Sequence, residues 1–261
     1  MSLATPRESL DTGIRMMNSA KKIAVIPVYH DAGNIGRVLA KFTSNFVDEI
    51  CLVVDCADES ELREIRQASE EIAVPVHVVN NVKRKGIGYA IREGIEYALA
   101  KEYEIVVVMA GNDKDDPREI PSLLRPITNE CYDYVQGSRF LSGGRRVKNP
   151  FLRGVFSRIY PFLWTLFTNV RCTDVTNGFR AYRLEILLDK RINLWQDWLD
   201  EYELEYYLHF KVLTLGYRIK EVPVSKTYTH RHKGGYSKIS PFRDWWKIVG
   251  PLVYLSLGIK K

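Results

Sequence analysis

Residues 22–58, KIAVIPVYHDAGNIGRVLAKFTSNFVDEICLVVDCAD, hold two short apolar runs on either side of a segment with apolar residues at helical spacing. The runs are Ile23 to Val28 and Ile50 to Val54, and the segment between them is Asn34 to Phe42. A strand, a helix and a second strand in this order favour two parallel strands joined by a helix that covers one face of the sheet. This unit predicts the fold class of the chain.

The same pattern continues through the first half of the chain. Further β-branched runs follow at Val74 to Val79, Ile105 to Met109 and Tyr132 to Gln136, and residues 84–102 again have apolar residues at helical spacing. We therefore expect an α/β domain with a mostly parallel, twisted, Rossmann-like sheet and helices on both faces. Ligands of such sheets lie beyond the carboxyl ends of the strands, so the segments after each run form the candidate site.

Composition narrows the class of protein. With 261 residues, of which 46% are hydrophobic, the chain has the size of one domain with a C-terminal helical appendage. The formal net charge of +6 favours phosphorylated ligands or an anionic membrane surface, and we expect no nucleic acid partner. The four cysteines and five histidines show no metal-ligand spacing, so we expect reduced thiols in a cytoplasmic protein.

Two apolar stretches, Phe162 to Val170 and Ile248 to Leu257, are shorter than the ~20 residues that span a bilayer, so we expect no transmembrane anchor. The aromatic residues of 151–167 resemble those of a helix lying in a membrane interface, as do Trp245, Trp246 and Tyr254. Packing against the domain or a second subunit is the alternative reading. A peripheral position at the inner face of the plasma membrane and a homodimer therefore both stay open.

Changes in residue composition along the chain predict how it divides into segments. We expect an N-terminal extension over 1–21, a domain over 22–228 and a basic, aromatic tail or helix over 229–261. The domain divides at a Gly/Arg-rich loop into a donor half, 22–139, and an acceptor half, 140–228.

Polar residues that follow the predicted strands suit a nucleoside diphosphate. An aspartate at a strand end, such as Asp55, can accept hydrogen bonds from a base imide or a ribose hydroxyl. The alternative is that Asp55 and Asp58 cap the next helix. Residues 81–88, NVKRKGIG, place cations and small residues at a predicted helix start, where free N–H groups attract phosphate.

Together these segments resemble the family 2 glycosyltransferases, in particular the polyprenyl-phosphate sugar synthases and their polysaccharide-assembly relatives. The motifs that carry the resemblance occur in the family's order over about residues 22–224, and more loosely to the tail. They are Pro27–Asp31 for Pro-x-Tyr-Asn-Glu, Val54–Asp58 for Val-Asp-Asp-Gly-Ser, Gly137–Arg139 for Gly-Ser-Arg, Asp174–Arg180 for Asp-x-x-Ser-Gly-Phe-Arg, Gly216–Pro223 and Gly235–Lys238.

The resemblance implies the GT-A fold and the transfer of a sugar, with inversion, from a UDP-, GDP- or dTDP-sugar to a glycan or a polyprenyl phosphate. It implies cell-surface polysaccharide or lipid-linked glycan assembly as the setting. The implied nucleotide-binding residues are Pro27, Tyr29, Asp31, Asp55, Arg84 and Lys85. The implied sugar and diphosphate region is Asn112, Asp113, Lys114, Asp115 and Arg139. On the acceptor side it implies Asp174, Asn177, Arg180, Arg231, Ser237 and Lys238.

A catalytic base is implied by the same resemblance. The family places a carboxylate at the start of a helix about eleven residues before the Gly-Tyr turn, and Glu205 occupies that spacing before Gly216. Glu203 lies two residues earlier. A surface glutamate on an amphipathic helix is the ordinary alternative, and a phosphate acceptor would need no base.

One motif departs from the family. The family's Asp-x-Asp, which holds a divalent metal on the diphosphate, falls here on Ala110 and Asn112, and the third contact falls on Lys114. Hard cations prefer several carboxylate oxygens, so Mg²⁺ or Mn²⁺ is doubtful, with Asn112 and Asp113 as tentative ligands.

Two accounts of this departure stay open. Either the ammonium of Lys114, with Arg139, supplies charge that a metal supplies elsewhere, or the metal stays on Asn112, Asp113 or Asp115. A solvated turn that caps a helix near Pro117 is the plainest reading of the acidic residues.

Three rival functions differ in the sequence signals that they require. Loss of the Asp-x-Asp pair is also typical of a non-catalytic nucleotide-sugar-binding scaffold. A nucleotidyltransferase would carry a glycine-rich phosphate loop directly after the first strand, where this chain has Tyr29–Gly33. An oxidoreductase would carry Gly-x-Gly-x-x-Gly there.

Overall fold

In the computed structural model of the protein, residues 19–147, 151–228 and 245–261 are described. The strands are β1 (Lys22–Val28), β2 (Glu49–Asp55), β3 (Val76–Asn81), β4 (Ile105–Val108), β5 (Tyr134–Ser138), β6 (Arg145–Val147), β7 (Arg180–Arg183), β8 (Ile219–Pro223) and β9 (Ser225–Thr227). The α-helices are α1 (Ala32–Leu39), α2 (Glu59–Glu70), α3 (Ile87–Ala100), α4 (Ile120–Glu130), α5 (Phe151–Thr168), α6 (Glu203–Thr214) and α7 (Trp245–Ser256). Short 3₁₀ helices cover Pro117–Glu119, Leu184–Leu188 and Asp197–Leu199.

Seven strands form one mixed sheet in the order β3-β2-β1-β4-β7-β5-β8. All neighbouring pairs are parallel except those made by β7, which runs antiparallel to both β4 and β5. Strands β6 and β9 form a separate parallel pair. The mostly parallel α/β sheet predicted from the sequence is confirmed.

The strands alternate between two cores because successive side chains of a strand point to opposite faces of the sheet. In β1, Ala24 and Ile26 join a core that also contains buried residues of α1, α2 and α4. Ile23 and Val25 join the opposite core, which is completed by α3 and α6. Helices therefore cover both faces, and the carboxyl ends of the parallel strands are left as the edge where side chains from different segments can meet.

Strand β7 is a strand of the main sheet that the sequence did not predict. Its four residues, Arg180–Arg183, carry an arginine at each end, so neither alternation nor an apolar run marks it as a strand. It lies between β4 and β5, with Arg180 opposite Val108 at the end of β4. Because β7 is antiparallel, its first residue lies at the carboxyl edge of the parallel strands. The turn over 174–179 is thereby brought to the candidate site.

Predicted boundaries shifted by a few residues elsewhere. The third strand begins at Val76 rather than Val74 and continues to Asn81, and the first helix is Ala32–Leu39 rather than Asn34–Phe42. Helix α6 begins at Glu203, so Glu205 lies in its first turn. The boundaries proposed at 139 and 228 stay predictions, and most of the proposed N-terminal extension lies outside the described residues.

A third cluster joins the C-terminal helix to the domain. Tyr160 and Trp164 of α5, Tyr206 of α6, and Ile248 and Leu252 of α7 pack together and are buried. The two aromatic segments thus pack on the domain through one face each. The opposite face of α5 is exposed, and no helix in the described part of the chain is long and apolar enough to cross a membrane.

Candidate functional site

A cleft of about 650 Å³ lies at the carboxyl edge of the sheet. It is lined by residues that follow β1 to β4, by the turn before β7, by the start of α6, and by single residues of β9 and α7. Three non-glycine residues near these strand ends have left-handed backbone: His30 (φ 48°), Cys56 (φ 61°) and Asp113 (φ 58°). Such strain persists only where the surrounding structure fixes the backbone, and it clusters at functional sites.

Four of the predicted nucleotide-binding residues lie together at one end of this cleft. Pro27 is near the end of β1, Tyr29 and Asp31 follow this strand, and Asp55 is the last residue of β2. The buried carboxylate of Asp55 accepts hydrogen bonds at 2.9 Å from the backbone N–H groups of Lys85 and Gly86. Asp55 therefore anchors the loop before α3 and also lines the cleft.

The helix-capping alternative holds for Asp58 and not for Asp55. Asp58 is the N-cap of α2, where its carboxylate accepts from the N–H groups of Ser60 and Glu61. The side chain of Glu61 accepts from the N–H of Asp58 in return, which completes a capping box.

Arg84 and Lys85, in the basic loop before α3, have side chains in different places. Arg84 lines the cleft, where its Nη2 donates to Glu201 Oε1 at 2.6 Å and its guanidinium lies 5.3 Å from the centre of the Tyr29 ring. Lys85 does not line the cleft. Its Nζ donates to Tyr89 Oη at 3.2 Å and to Glu93 Oε1 at 3.1 Å along the surface of α3. The structure thus brings Arg84, and not Lys85, to the predicted site.

Glycines in this loop permit a close contact between two segments of the chain. A Cβ on Gly88 would lie 2.2 Å from the carbonyl oxygen of Leu199, and one on Gly86 would lie 2.4 Å from that of Asp200. The N–H of Tyr89 donates to the same Asp200 oxygen at 3.0 Å. This contact holds the start of α6, with Glu205, against the loop that carries Arg84.

Asp174 and Asn177, predicted on the acceptor side, lie buried beside Arg139, which was predicted for the sugar and diphosphate region. Arg139 donates to the carboxylate of Asp174 from Nε at 2.6 Å and from Nη2 at 2.7 Å, and both side chains are buried. Asn177 Nδ2 donates to the carbonyl of Gly137 at 3.0 Å. None of these three residues lines the cleft, so their observed contacts hold the turn before β7 in place.

Glu205 lines the cleft in the first turn of α6. Its Oε1 lies 3.3 Å from Nη2 of the buried Arg180, yet it is a buried oxygen that accepts no hydrogen bond within the described part of the chain. Arg180 is itself held by Tyr134 Oη and by the backbone carbonyl of Glu205. Gly178 leaves room over the carboxylate, because a Cβ there would lie 2.9 Å from Oε1. Glu205 thus lines the cleft while its Oε1 is buried beside Arg180.

The neighbouring Glu203 differs in position. Burial raises the pKa of its carboxyl to about 7, and its Oε2 is buried without a hydrogen-bond partner among the described residues. Glu203 does not line the cleft, so of the two acidic residues in this turn only Glu205 can meet a ligand there.

Known proteins resemble this chain in sequence and in fold. A family model described as glycosyl transferase family 2 matches residues 23–189. The chain belongs to glycosyl transferase family 2. The predicted resemblance is confirmed, and the protein is a glycosyltransferase with a GT-A fold.

Two relatives of this glycosyltransferase have names that include a sugar and a polyprenol or undecaprenyl phosphate. Undecaprenyl-phosphate mannosyltransferase of Micrococcus luteus is 28% identical over 215 residues, covering 81% of this chain and 85% of the relative. Polyprenol monophosphomannose synthase of Mycolicibacterium smegmatis is 27% identical over 224 residues, covering 84% of this chain and 81% of the relative.

A solved structure agrees with the fold. Glucosyl-3-phosphoglycerate synthase from Mycobacterium tuberculosis, in complex with Mn²⁺, uridine diphosphate and phosphoglyceric acid, matches with a TM-score of 0.63 and 18% identity. The match covers 100% of this chain and 86% of that protein.

The fold family therefore implies a divalent cation on the donor diphosphate, and the loop after β4 tests whether it fits. Ala110 and Asn112 line the cleft but offer no carboxylate, and the Asn112 Oδ1 accepts from the N–H of Lys114 at 3.3 Å. Asp113 is turned away from the cleft, since its carboxylate accepts from Arg37 Nε at 3.1 Å and Lys41 Nζ at 2.5 Å. Although burial alone raises the pKa of Asp113, these two cations hold it below its ordinary value.

Asp115, the next acidic residue of this loop, is buried and accepts from Lys226 Nζ at 2.7 Å, and Asp116 after it caps the 3₁₀ helix that begins at Pro117. Among the described residues, no group of three His, Cys, Asp or Glu side chains is placed to hold a metal. Because the nearest carboxylates are engaged by cations, the residues present do not fit a hard divalent ion, and Asp113 in particular is not positioned as a ligand.

Several cleft residues of the glycosyltransferase were missed by sequence reasoning. They are Thr176, Glu201, Tyr202, Tyr206, Lys226, Tyr228 and Lys247. Most lie outside the strand-end segments that the fold pointed to, and Lys226 is on the short strand β9. The predicted acceptor-side residues Arg231, Ser237 and Lys238 lie outside the described residues.

A buried histidine behind Glu205 makes the stability of the glycosyltransferase depend on pH. Burial, with added repulsion from Arg180, lowers the pKa of His209 from 6.5 to about 3. The unfolded chain therefore binds a proton below about pH 6.5 that the folded protein does not. Stability is lost as the pH falls through this window, by at most about 1.4 kcal/mol per pH unit from this one group.

We expect His209→Gln to reduce this loss, because glutamine stays neutral and can still bond the Tyr134 hydroxyl. The measurement is the free energy of unfolding by urea between pH 7 and 4.5 for both proteins. Glu203, whose raised pKa acts with the opposite sign over the same range, is present in both and cancels in the difference. Parallel curves for the two proteins would contradict the assignment.

Proposed function

We propose that the protein transfers a sugar, with inversion, from a nucleoside diphosphate sugar to a polyprenyl phosphate or a related lipid-linked acceptor. The names of two relatives, an undecaprenyl-phosphate mannosyltransferase and a polyprenol monophosphomannose synthase, support the acceptor class. The uridine diphosphate in the structural neighbour supports the donor class. The observation that carries the chemistry is the carboxylate of Glu205, which lines the cleft in the first turn of α6 and has its Oε1 3.3 Å from Nη2 of the buried Arg180.

The donor enters at the carboxyl ends of β1 and β2. Its base and ribose contact Pro27, Tyr29, Asp31 and Asp55, and its diphosphate lies between Arg84 and Lys114. A guanidinium gives phosphate oxygens a bidentate partner and an ammonium gives a point charge. The sugar then lies near Asn112, with its anomeric carbon towards α6.

The reaction is a direct displacement at that carbon. The acceptor oxygen forms the new bond to the anomeric carbon as the bond to the diphosphate oxygen breaks, and the diphosphate leaves with the electron pair. With a hydroxyl acceptor the proton passes to Glu205, whereas a phosphate acceptor is already anionic and needs no base. Catalysis rests on positioning and on stabilising the charge of the leaving group.

The acceptor arrives from a membrane surface at the outward face of α5. Ile159, Phe162, Leu163, Leu166 and Phe167 are exposed along this helix, and Phe162 and Leu166 are 69% and 67% exposed. Beside them is a groove of about 660 Å³ lined by Phe162 and by four arginines, Arg139, Arg146, Arg158 and Arg171. An apolar stripe beside cations suits an anionic bilayer, at the inner face of the plasma membrane.

We expect Asp55→Ala to weaken donor binding by roughly 1–3 kcal/mol, because the variant loses a carboxylate at the nucleoside end of the cleft and the anchor of the Arg84 loop. Calorimetric titration with UDP-, GDP- and dTDP-sugars measures this. Asp58→Ala is the matched control, since Asp58 caps α2 and does not line the cleft. Equal affinities of native protein and Asp55→Ala for the bound donor would exclude this pocket.

Glu205→Gln should leave donor binding nearly intact and lower transfer to a hydroxyl acceptor by roughly 10²-fold or more, as removal of a general base does. Glu203→Gln, two residues away and outside the cleft, should transfer at the native rate. Sugar transfer is measured with a polyprenyl phosphate and with a lipid-linked hydroxyl acceptor. Native-rate transfer by Glu205→Gln to both acceptors would contradict the assignment, and no transfer by native protein would favour a non-catalytic scaffold.

Replacing Phe162 and Leu166 together by serine should weaken binding to phosphatidylglycerol-containing vesicles at least about tenfold, since each buried apolar side chain contributes about 1.5–3 kcal/mol. Vesicle co-sedimentation measures the effect. Leu188→Ser, at an exposed leucine on a different element, is the control. If the double variant binds vesicles as the native protein does, or if light scattering shows that it converts a dimer to a monomer, the face is not a membrane surface.

A further inference from the structure

We infer that lysine side chains, Lys114 foremost, neutralise the donor diphosphate in this cleft, and that the site binds its donor without a divalent cation. The inference rests on the proposed function, since it takes a nucleoside diphosphate sugar as the ligand.

Its first support is the state of the acidic residues around the loop after β4. Asp113 is held behind the loop by Arg37 and Lys41, and Asp115 is held within the protein by Lys226. A metal would have to displace an ion pair in either case, and a carboxylate already paired with an ammonium is a poor ligand for a hard cation. The loop therefore presents amide and methyl groups, and no carboxylate, to the diphosphate.

The second support is that lysines reach the cleft from three separate elements. Lys114 follows β4, Lys226 is on β9 and Lys247 is on α7, and all three line the same cleft. Lys114 is almost fully buried, with its Nζ 5.5 Å from the centre of the Tyr228 ring. An ammonium in such a water-poor setting interacts more strongly with a phosphate than one at the surface does.

Lys226 is prepared for the same role by its two partners. Its Nζ donates to Asp115 Oδ1 at 2.7 Å and to Asn177 Oδ1 at 3.0 Å. An ammonium has three N–H donors, so one remains for a ligand oxygen in the cleft. Asp115 and Asn177 fix the position of this buried ammonium and so reduce the entropy that a ligand contact would otherwise cost.

The net charge beside the diphosphate supports the view that the two aspartates and the metal were replaced together with the gain of the lysine. Two aspartates with a divalent ion have a net charge of zero at the diphosphate, whereas Ala110, Asn112 and Lys114 together have a charge of +1. Loss of the metal with both aspartates retained would leave two negative charges facing a diphosphate. Replacement of both aspartates together with the gain of a lysine removes that repulsion and keeps an attractive field for the leaving group.

The test measures nucleotide binding rather than turnover. UDP, GDP and dTDP are titrated calorimetrically into native protein in excess EDTA and again with Mn²⁺, and the affinity of the nucleotide that binds should agree within about threefold between the two conditions. Lys114→Met should weaken binding about tenfold or more in both, as loss of a charge-assisted hydrogen bond does. Lys190→Met, an equal charge change at an exposed residue that does not line the cleft, should bind as the native protein does.

A reconstructed metal site gives the converse result. The triple variant Ala110→Asp, Asn112→Asp, Lys114→Gln should lose nucleotide affinity in EDTA and regain it with Mn²⁺. Electron paramagnetic resonance should detect Mn²⁺ bound by this variant with the nucleotide and not by native protein.

Two results would overturn the inference, and they separate it from the proposed function. Binding by native protein that is lost in EDTA and restored by Mn²⁺, with Lys114→Met unaffected, overturns the lysine assignment and leaves the donor class standing. Absence of binding for all three nucleotides in both conditions overturns the inference and the proposed donor class together.

Discussion

The buried ion pair between Arg139 and Asp174 is the constraint on which the far wall of the cleft depends. Arg139 follows β5, and Asp174 opens the turn that leads into β7, so the pair ties a parallel strand to the one antiparallel insertion in the main sheet. Arg139 also donates to Thr176 Oγ1 and Tyr228 Oη, which both line the cleft. Removal of one partner of a buried pair typically costs about 3–5 kcal/mol, because the other charge is left uncompensated.

Secondary contacts extend this constraint to the neighbouring strand. Glu221 of β8 accepts from the N–H groups of Thr173 and Asp174, so β5, β8 and the turn are held as one unit. With the turn fixed, Asn177 reaches Lys226 and Arg180 reaches Glu205. The two side chains to which we assign chemistry are therefore positioned by residues that do not meet the ligand.

The sequence predicted the parallel part of the sheet because β1 and β2 are almost wholly buried and read as continuous apolar runs. It did not predict β7, since RAYR is short, polar at both ends and stabilised by its two neighbours rather than by its own propensity. At the site, strand-end positions led to Asp55 and Asn112, whose side chains do line the cleft. The same reasoning could not separate Arg84 from Lys85 or Asn112 from Asp113, because the direction of a loop side chain is set by partners such as Glu93 and Arg37 that are distant in sequence.

The contact of Gly86 and Gly88 with the backbone of 199–201 limits which segments relatives of this protein can exchange by recombination. Two segments more than a hundred residues apart in sequence meet at a separation that admits no side chain. A crossover that brings in a donor loop from another member of the family, with any larger residue at Gly88, would force the start of α6 outwards and move Glu205 with it. The inherited unit of donor recognition in this protein is thus discontinuous, and it travels intact only when residues 83–88 and 199–205 come from the same parent.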